Sequence, residues 1–441
     1  MNQKSVPKRI ANAIIHSLQG GVVPRIGLEY IAVGRAKEID ALLQDVEMVR
    51  AGGGSFRFIT GRYGSGKSFL MQTLKNYALE KGFVVLDADL SPERRLAGTK
   101  GQGLATYKEL VRNLSTRTKP DGGALSLVLE KWISALMTET AVQIGLNPGS
   151  SGFYEEVGRR IYTVAEQMEG MVSGFDFARA ILRYWEAYRD GDSEGKSKVL
   201  KWFRGEYTTK TQARTELGVQ LIITDDNWYD FIKLLAEFLV KAGYQGMLVI
   251  VDELVNLYKI PYSIARQYNY EKLLMMYNDV MQGKAAHIGF LMGVTPQCLE
   301  DTRRGIYSYE ALRSRLTQGR FSASLANDLM GPIIRLAPLT YEEMYVLLER
   351  LAGIHAGLYG YETRLGQEDL IAFLKTEYER IGADTQITPR EVIRDFIELL
   401  NICCQNPDQS VSKLLGTMTL TGPLPDQSGE TVSPEFSEFE I

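Results

Sequence analysis

One octet, Gly61-Arg62-Tyr63-Gly64-Ser65-Gly66-Lys67-Ser68, constrains this chain more than any other feature. It fits G-x-x-x-x-G-K-[ST], a loop whose backbone N–H groups and following helix N-terminus form a concave anion site. Such a loop needs a strand before it and a helix after it. The run Phe56-Arg57-Phe58-Ile59-Thr60 has strand character, and Phe69, Leu70, Leu74, Tyr77 and Ala78 keep helical spacing as far as Gly82. The pattern predicts a site for the phosphates of a nucleoside triphosphate such as ATP. Gly61, Arg62, Tyr63, Gly64, Ser65 and Gly66 would wrap the phosphates, Lys67 would neutralise them, and Ser68 would ligate Mg2+.

Charge and composition exclude several alternatives. The chain has 441 residues, 45% of them apolar and 24% charged, which suits a globular protein with room for two or three domains. No stretch approaches eighteen consecutive apolar residues, and Met1-Asn2-Gln3-Lys4 lacks the apolar core of a leader, so no membrane association and a cytoplasmic location are expected. Cys298, Cys403, Cys404, His16, His287 and His355 offer neither a disulfide framework nor zinc spacing. The net charge of −4 is concentrated after Cys403, where six acids face Lys413 alone, leaving the body near neutral.

A second strand, Phe83-Val84-Val85-Leu86, leads to Asp87-Ala88-Asp89 and implies a βαβ unit with a parallel sheet. From 91 to 224 the pattern is mostly helical. Within that stretch Lys196, Lys198, Lys201, Arg204, Lys210 and Arg214 surround Trp202, Phe203 and Tyr207. This is either a nucleic-acid surface or a solvated helix with its aromatics packed inward. The continuous apolar run Met247-Leu248-Val249-Ile250-Val251 then predicts a strand buried on both faces, ending in Asp252-Glu253. After a phosphate loop, Asp252 is placed to hold Mg2+ and Glu253 to deprotonate the attacking water.

A further strand, 288–294, ends in Thr295-Pro296-Gln297, either a polar contact for the γ-phosphate or an ordinary strand exit. Arg303, Arg304, Arg313 and Arg315 supply guanidinium groups. Any one of them is either a surface residue or a group aimed at a neighbouring subunit's phosphate, which would make the protein an oligomer. Pro332 to Leu336 reads as a fifth strand. The boxes Thr340-Tyr341-Glu342-Glu343 and Thr388-Pro389-Arg390-Glu391 open two helices. The expected organisation is an α/β P-loop core at 1–90 and 225–337, a helical insertion at 91–224, a small helical lid at 338–403, and an acidic tail at 404–441 that is either without regular structure or a docking peptide carrying Phe436 and Phe439.

In their order, these landmarks resemble the AAA+ ATPases, especially the initiator-like clade. Val33-Gly34-Arg35 followed by Glu38 is similar to that clade's segment near the adenine. The resemblance implies a sensor at Thr295 or Gln297, an arginine finger at Arg315 and a second sensor at Arg390. Gly21-Val22-Val23-Pro24, Val33-Gly34-Arg35, the octet and Gly243-Tyr244-Gln245-Gly246 also resemble the BREX-system ATP-binding proteins, of BrxD type and related to BrxC. That likeness implies defence against phage DNA beside a helicase or a methyltransferase. The resemblance to the clade also implies a C-terminal winged-helix domain, which the 38 residues from 404 onward, six of them acidic, are not expected to provide. The expected activity is ATP hydrolysis to ADP that remodels a DNA-bound complex. Its rivals are an ATP-gated scaffold with little turnover and a P-loop phosphoryl transferase.

Overall fold

A computed structural model describes residues 6–145, 150, 152–317, 328–363, 365–381 and 388–408; most of the acidic tail therefore lies outside the described residues. The chain divides into two compact units. One comprises 35–63 and 67–336, and the other 1–34, the three loop residues 64–66, and 337–441.

The larger unit is built on a parallel sheet of β1 (Gly54–Thr60), β2 (Val84–Asp89), β3 (Met247–Asp252), β4 (Ile288–Val294) and β5 (Ile333–Arg335), in the order β2-β3-β4-β1-β5. Side chains alternate between its faces, and both faces are buried. Phe56, Phe58, Val84, Leu86, Val249, Val251, Phe290 and Met292 join one apolar cluster. Ile59, Val85, Leu248, Ile250, Leu291 and Ile334 join the other, against the helices Ala36–Arg50 and Lys67–Glu80. This two-sided burial is why β3 reads as an unbroken apolar run.

Between β2 and β3, seven helices run from Gln102–Arg112 to Trp228–Lys241 among the described residues, with isolated bridges at Val85–Ser115 and Thr116–Lys119. These helices share the first apolar cluster with the sheet. Trp202, Phe203 and Tyr207 are 1%, 4% and 3% exposed. Trp202 Nε1 donates to the Leu221 carbonyl at 2.9 Å, and the Lys201 ammonium lies 4.6 Å from the centre of the Tyr207 ring. Of the two readings of this cluster, the inward-packed one describes it. Rings spent on the core cannot stack on bases.

In the smaller unit, the helix Lys8–Gln19 buries Ala11, Ile14 and Ile15 against the helices Tyr341–Tyr359 and Pro389–Gln405. Both capping boxes form, Thr340 with Glu343 and Thr388 with Glu391. His355 is fully buried, its Nδ1 2.9 Å from the Tyr361 hydroxyl and its Nε2 3.0 Å from Asn401 Oδ1. Burial pushes the His355 pKa below its usual value, against the opposing pull of Asn401. The folded unit thus resists a proton that the unfolded chain accepts near pH 6.5. Stability is full above that pH and is lost as pH falls toward the folded value, by up to about 1.4 kcal/mol per pH unit. Going from pH 7.5 to 5.5 is expected to lower Tm a few degrees further in the native protein than in His355→Gln. Equal slopes in thermal melts would remove His355 as the cause.

Candidate active site

β1 ends at the buried Thr60, and the octet begins with Gly61 N–H donating to the Val294 carbonyl of β4 at 3.4 Å. Gly64 and Gly66 turn the loop with φ of +78° and +97°. Nothing lies within 4 Å of where a Cβ on Gly66 would stand, so the demand there is on backbone conformation alone. Lys67 opens the helix Lys67–Glu80, and its ammonium donates to the carbonyls of Gly61 (2.8 Å) and Arg62 (3.0 Å). The cation therefore lies over the loop that would wrap the phosphates. Arg62 and Tyr63 are exposed on that loop.

β4 separates β1 from β3, which sets the loop and Asp252 two strand spacings apart, roughly 10 Å. Ser68 bridges this gap. Its hydroxyl donates to Asp252 Oδ2 at 2.8 Å, and Asp252 Oδ1 accepts from the Glu253 N–H at 2.8 Å. Glu253 has φ +60°, a left-handed conformation costing a non-glycine residue about 1 kcal/mol. The surroundings over-determine it: besides Asp252, Asn256 Nδ2 donates to the Glu253 carbonyl (3.2 Å) and to the Leu90 carbonyl (2.9 Å). This backbone strain sits at the end of a parallel strand, where α/β sheets place their ligands.

Asp89 stands opposite Asp252 in the β2–β3 register. Desolvation raises its pKa, then the charges of Asp252, Glu253 and Asp87 raise it further, up to about 6 against the pull of Arg94. The residue still has much of its surface open to solvent, so repulsion from its neighbours is the better-founded cause. The sequence pattern marked Asp89 only as a strand end. An acid closing the neighbouring parallel strand was the available signal, and Asn256 left none. Among the described residues no group of three or more His, Cys, Asp or Glu side chains is arranged to hold a metal ion. A hydroxyl and a carboxylate 2.8 Å apart are nevertheless hard oxygen donors of the kind Mg2+ takes when substrate phosphates and water complete its shell.

Thus Lys67, Ser68, Asp252 and Glu253 are assembled at the carboxyl ends of the strands. Thr295 accepts from Cys298 N–H at 3.3 Å as the cap of the short helix Pro296–Glu300, and Gln297 donates to the Tyr258 hydroxyl. Arg304 donates to the carbonyls of Tyr258 and Ile260. Arg315 is exposed and donates to Asn278 Oδ1 (3.1 Å) and the Ala311 carbonyl (2.8 Å). In the smaller unit, Arg390 Nε donates to the Gly21 carbonyl at 2.7 Å, and a Cβ on Gly64 would meet Thr388 Oγ1 at 2.7 Å. The segment bearing Val33 is held there by Arg350, which donates to the Ala32 carbonyl at 2.9 Å.

Comparison with curated proteins finds no match. The sequence model of one family, described as BREX system ATP-binding protein BrxC/D, matches residues 6–419, nearly the whole chain and every residue of this site. The chain belongs to the BrxC/D family of BREX system ATP-binding proteins.

Proposed function

We propose that the protein is a Mg2+-dependent ATPase of AAA+ architecture. The observation that carries this is the hydrogen bond from Ser68 to Asp252, with Glu253 held beside it in a strained backbone conformation. Ser68 and Asp252 would hold Mg2+, whose charge would offset that of the phosphate oxygens. The octet amides and Lys67 bind and orient the triphosphate. Glu253 takes a proton from a water whose oxygen bonds to the γ-phosphorus while the bond to the bridging oxygen of ADP breaks.

Membership of the family of BREX system ATP-binding proteins supports the wider reading, in which ATP turnover remodels a DNA-associated complex in phage defence. In that reading Arg315 acts across a subunit boundary, Arg390 and Thr295 sense the nucleotide, and Val33 lies near the adenine. The partner would be a helicase or methyltransferase of the same system, in the cytoplasm. No described helix is long and apolar enough to cross a membrane. With Trp202, Phe203 and Tyr207 packed into the core, DNA contact in that reading would fall to other surfaces.

Steady-state ATP hydrolysis, titrated against protein concentration with and without duplex DNA, tests the proposal. Specific activity that rises with both is expected of a shared, DNA-coupled site. Flat or absent turnover despite tight ATP binding would replace the motor with an ATP-gated scaffold. Phosphate transfer to a small acceptor would make it a phosphoryl transferase.

A further inference from the structure

Gly293 of β4 lies between the loop-bearing β1 and the Asp252-bearing β3, paired with Ile59 and one residue beyond the Val251–Met292 pair. A Cβ built on it would fall 2.0 Å from Asp252 Oδ1 and 2.8 Å from its Cγ. No real Cβ tolerates such an approach, so the Asp252 carboxylate occupies the volume that any other residue at 293 would fill. The Gly293 carbonyl meanwhile accepts from Leu254 N–H at 3.1 Å. One residue thus bounds the 252–254 turn twice, by an absent side chain and by a backbone acceptor.

We infer that Gly293 is a positioning residue for the nucleotide site, acting through Asp252; the inference rests on reading Asp252 as a Mg2+ ligand. The carboxylate that reaches Ser68 through Oδ2 and fixes the Glu253 amide through Oδ1 keeps both contacts because position 293 carries no methyl group. An alanine there is accommodated most cheaply by rotating Asp252, because the atoms it meets first are the end of a side chain and not backbone. The fold survives such a rotation. The Ser68 contact and the direction of Glu253 do not. Met71 Cε, 3.1 Å from the same point, is the end of a flexible side chain and yields easily.

The test is the binding of a fluorescent ATP analogue to the full chain, titrated with MgCl2 and compared with binding in EDTA, beside thermal melts. In Gly293→Ala, affinity in EDTA is expected to stay within twofold of native, Tm within about 2 °C, and the tightening produced by Mg2+ to fall at least tenfold. Gly289→Ala is the control on the same strand. Its Cβ would meet only Leu248 Cδ2 within 3.0 Å, the far end of a side chain, and it should keep the native Mg2+ response. Asp252→Ala separates the two levels of the argument. If it leaves the Mg2+ response intact, the reading of Asp252 fails. If it abolishes the response while Gly293→Ala retains it, Gly293 has no positioning role and the reading of Asp252 stands. Should Gly293→Ala alone be unstable, the double variant decides: with Asp252 truncated, alanine at 293 meets no carboxylate and should cost no further stability or affinity. Additive losses in that cycle would overturn the inference.

Discussion

Glu253→Gln is expected to bind ATP as tightly as the native protein and to lose hydrolysis by a factor of about 10² to 10⁴, equivalent to roughly 3–5 kcal/mol of barrier. The argument begins with shape. Glutamine matches glutamate in size, and the left-handed backbone at 253 is held by Asp252 Oδ1 and Asn256, neither of which the substitution touches. Ser68, Lys67 and the octet amides stay in place, so affinity should change by less than about twofold. What disappears is a carboxylate able to accept a proton from water. Asp252→Asn should behave differently, lowering Mg2+-dependent affinity as well as rate, because Asp252 is bound to Ser68 itself. Equilibrium binding and single-turnover hydrolysis measured side by side distinguish these patterns. Turnover of Glu253→Gln within threefold of native would mean another group deprotonates the water, and Asp89, opposite Asp252 with a raised pKa, would be the next residue to change.

How much of this site could be read before folding depends on which contacts are local. The octet, the Asp252-Glu253 strand end and the boxes at Thr340 and Thr388 are set by neighbours in sequence, and each forms where its pattern places it. The order β2-β3-β4-β1-β5 is not local, since nothing in five apolar runs says which will be adjacent. For that reason Gly293 looked like an ordinary strand residue, and its role follows only from β4 lying between β1 and β3. The grouping of 1–34 with the C-terminal helices has the same origin. The face Ala11, Ile14 and Ile15 announces a buried side of a helix without naming what covers it. The basic and aromatic residues of 196–214 were ambiguous for a related reason: spacing shows amphipathicity, and burial alone decides whether Trp202 faces the core or a ligand.

Asp45→Ala is expected to be the most destabilising single change outside the apolar core. Arg57 points from β1 toward the helix Ala36–Arg50, where its Nε and one terminal nitrogen donate to the two carboxylate oxygens of Asp45 at 2.7 and 2.8 Å. The other terminal nitrogen donates to the Gly331 carbonyl, just before β5. Side-chain exposures of 11% for Arg57 and 9% for Asp45 put this bidentate pair out of reach of most solvent screening. Removing the carboxylate leaves a guanidinium desolvated and unpaired, which costs about 3–5 kcal/mol. For a unit of this size that corresponds to a fall on the order of 10 °C in Tm. The same physics predicts that the charge itself is dispensable: Asp45→Leu combined with Arg57→Met should recover most of the loss, because apolar packing removes the desolvation penalty with the ions. Thermal melts of the two variants decide the matter. A fall of less than 2 °C in Asp45→Ala would show that solvent reaches Arg57. A double variant no better than the single one would show that the hydrogen bond from Arg57 to the Gly331 carbonyl, and not the ion pair, carries the stability.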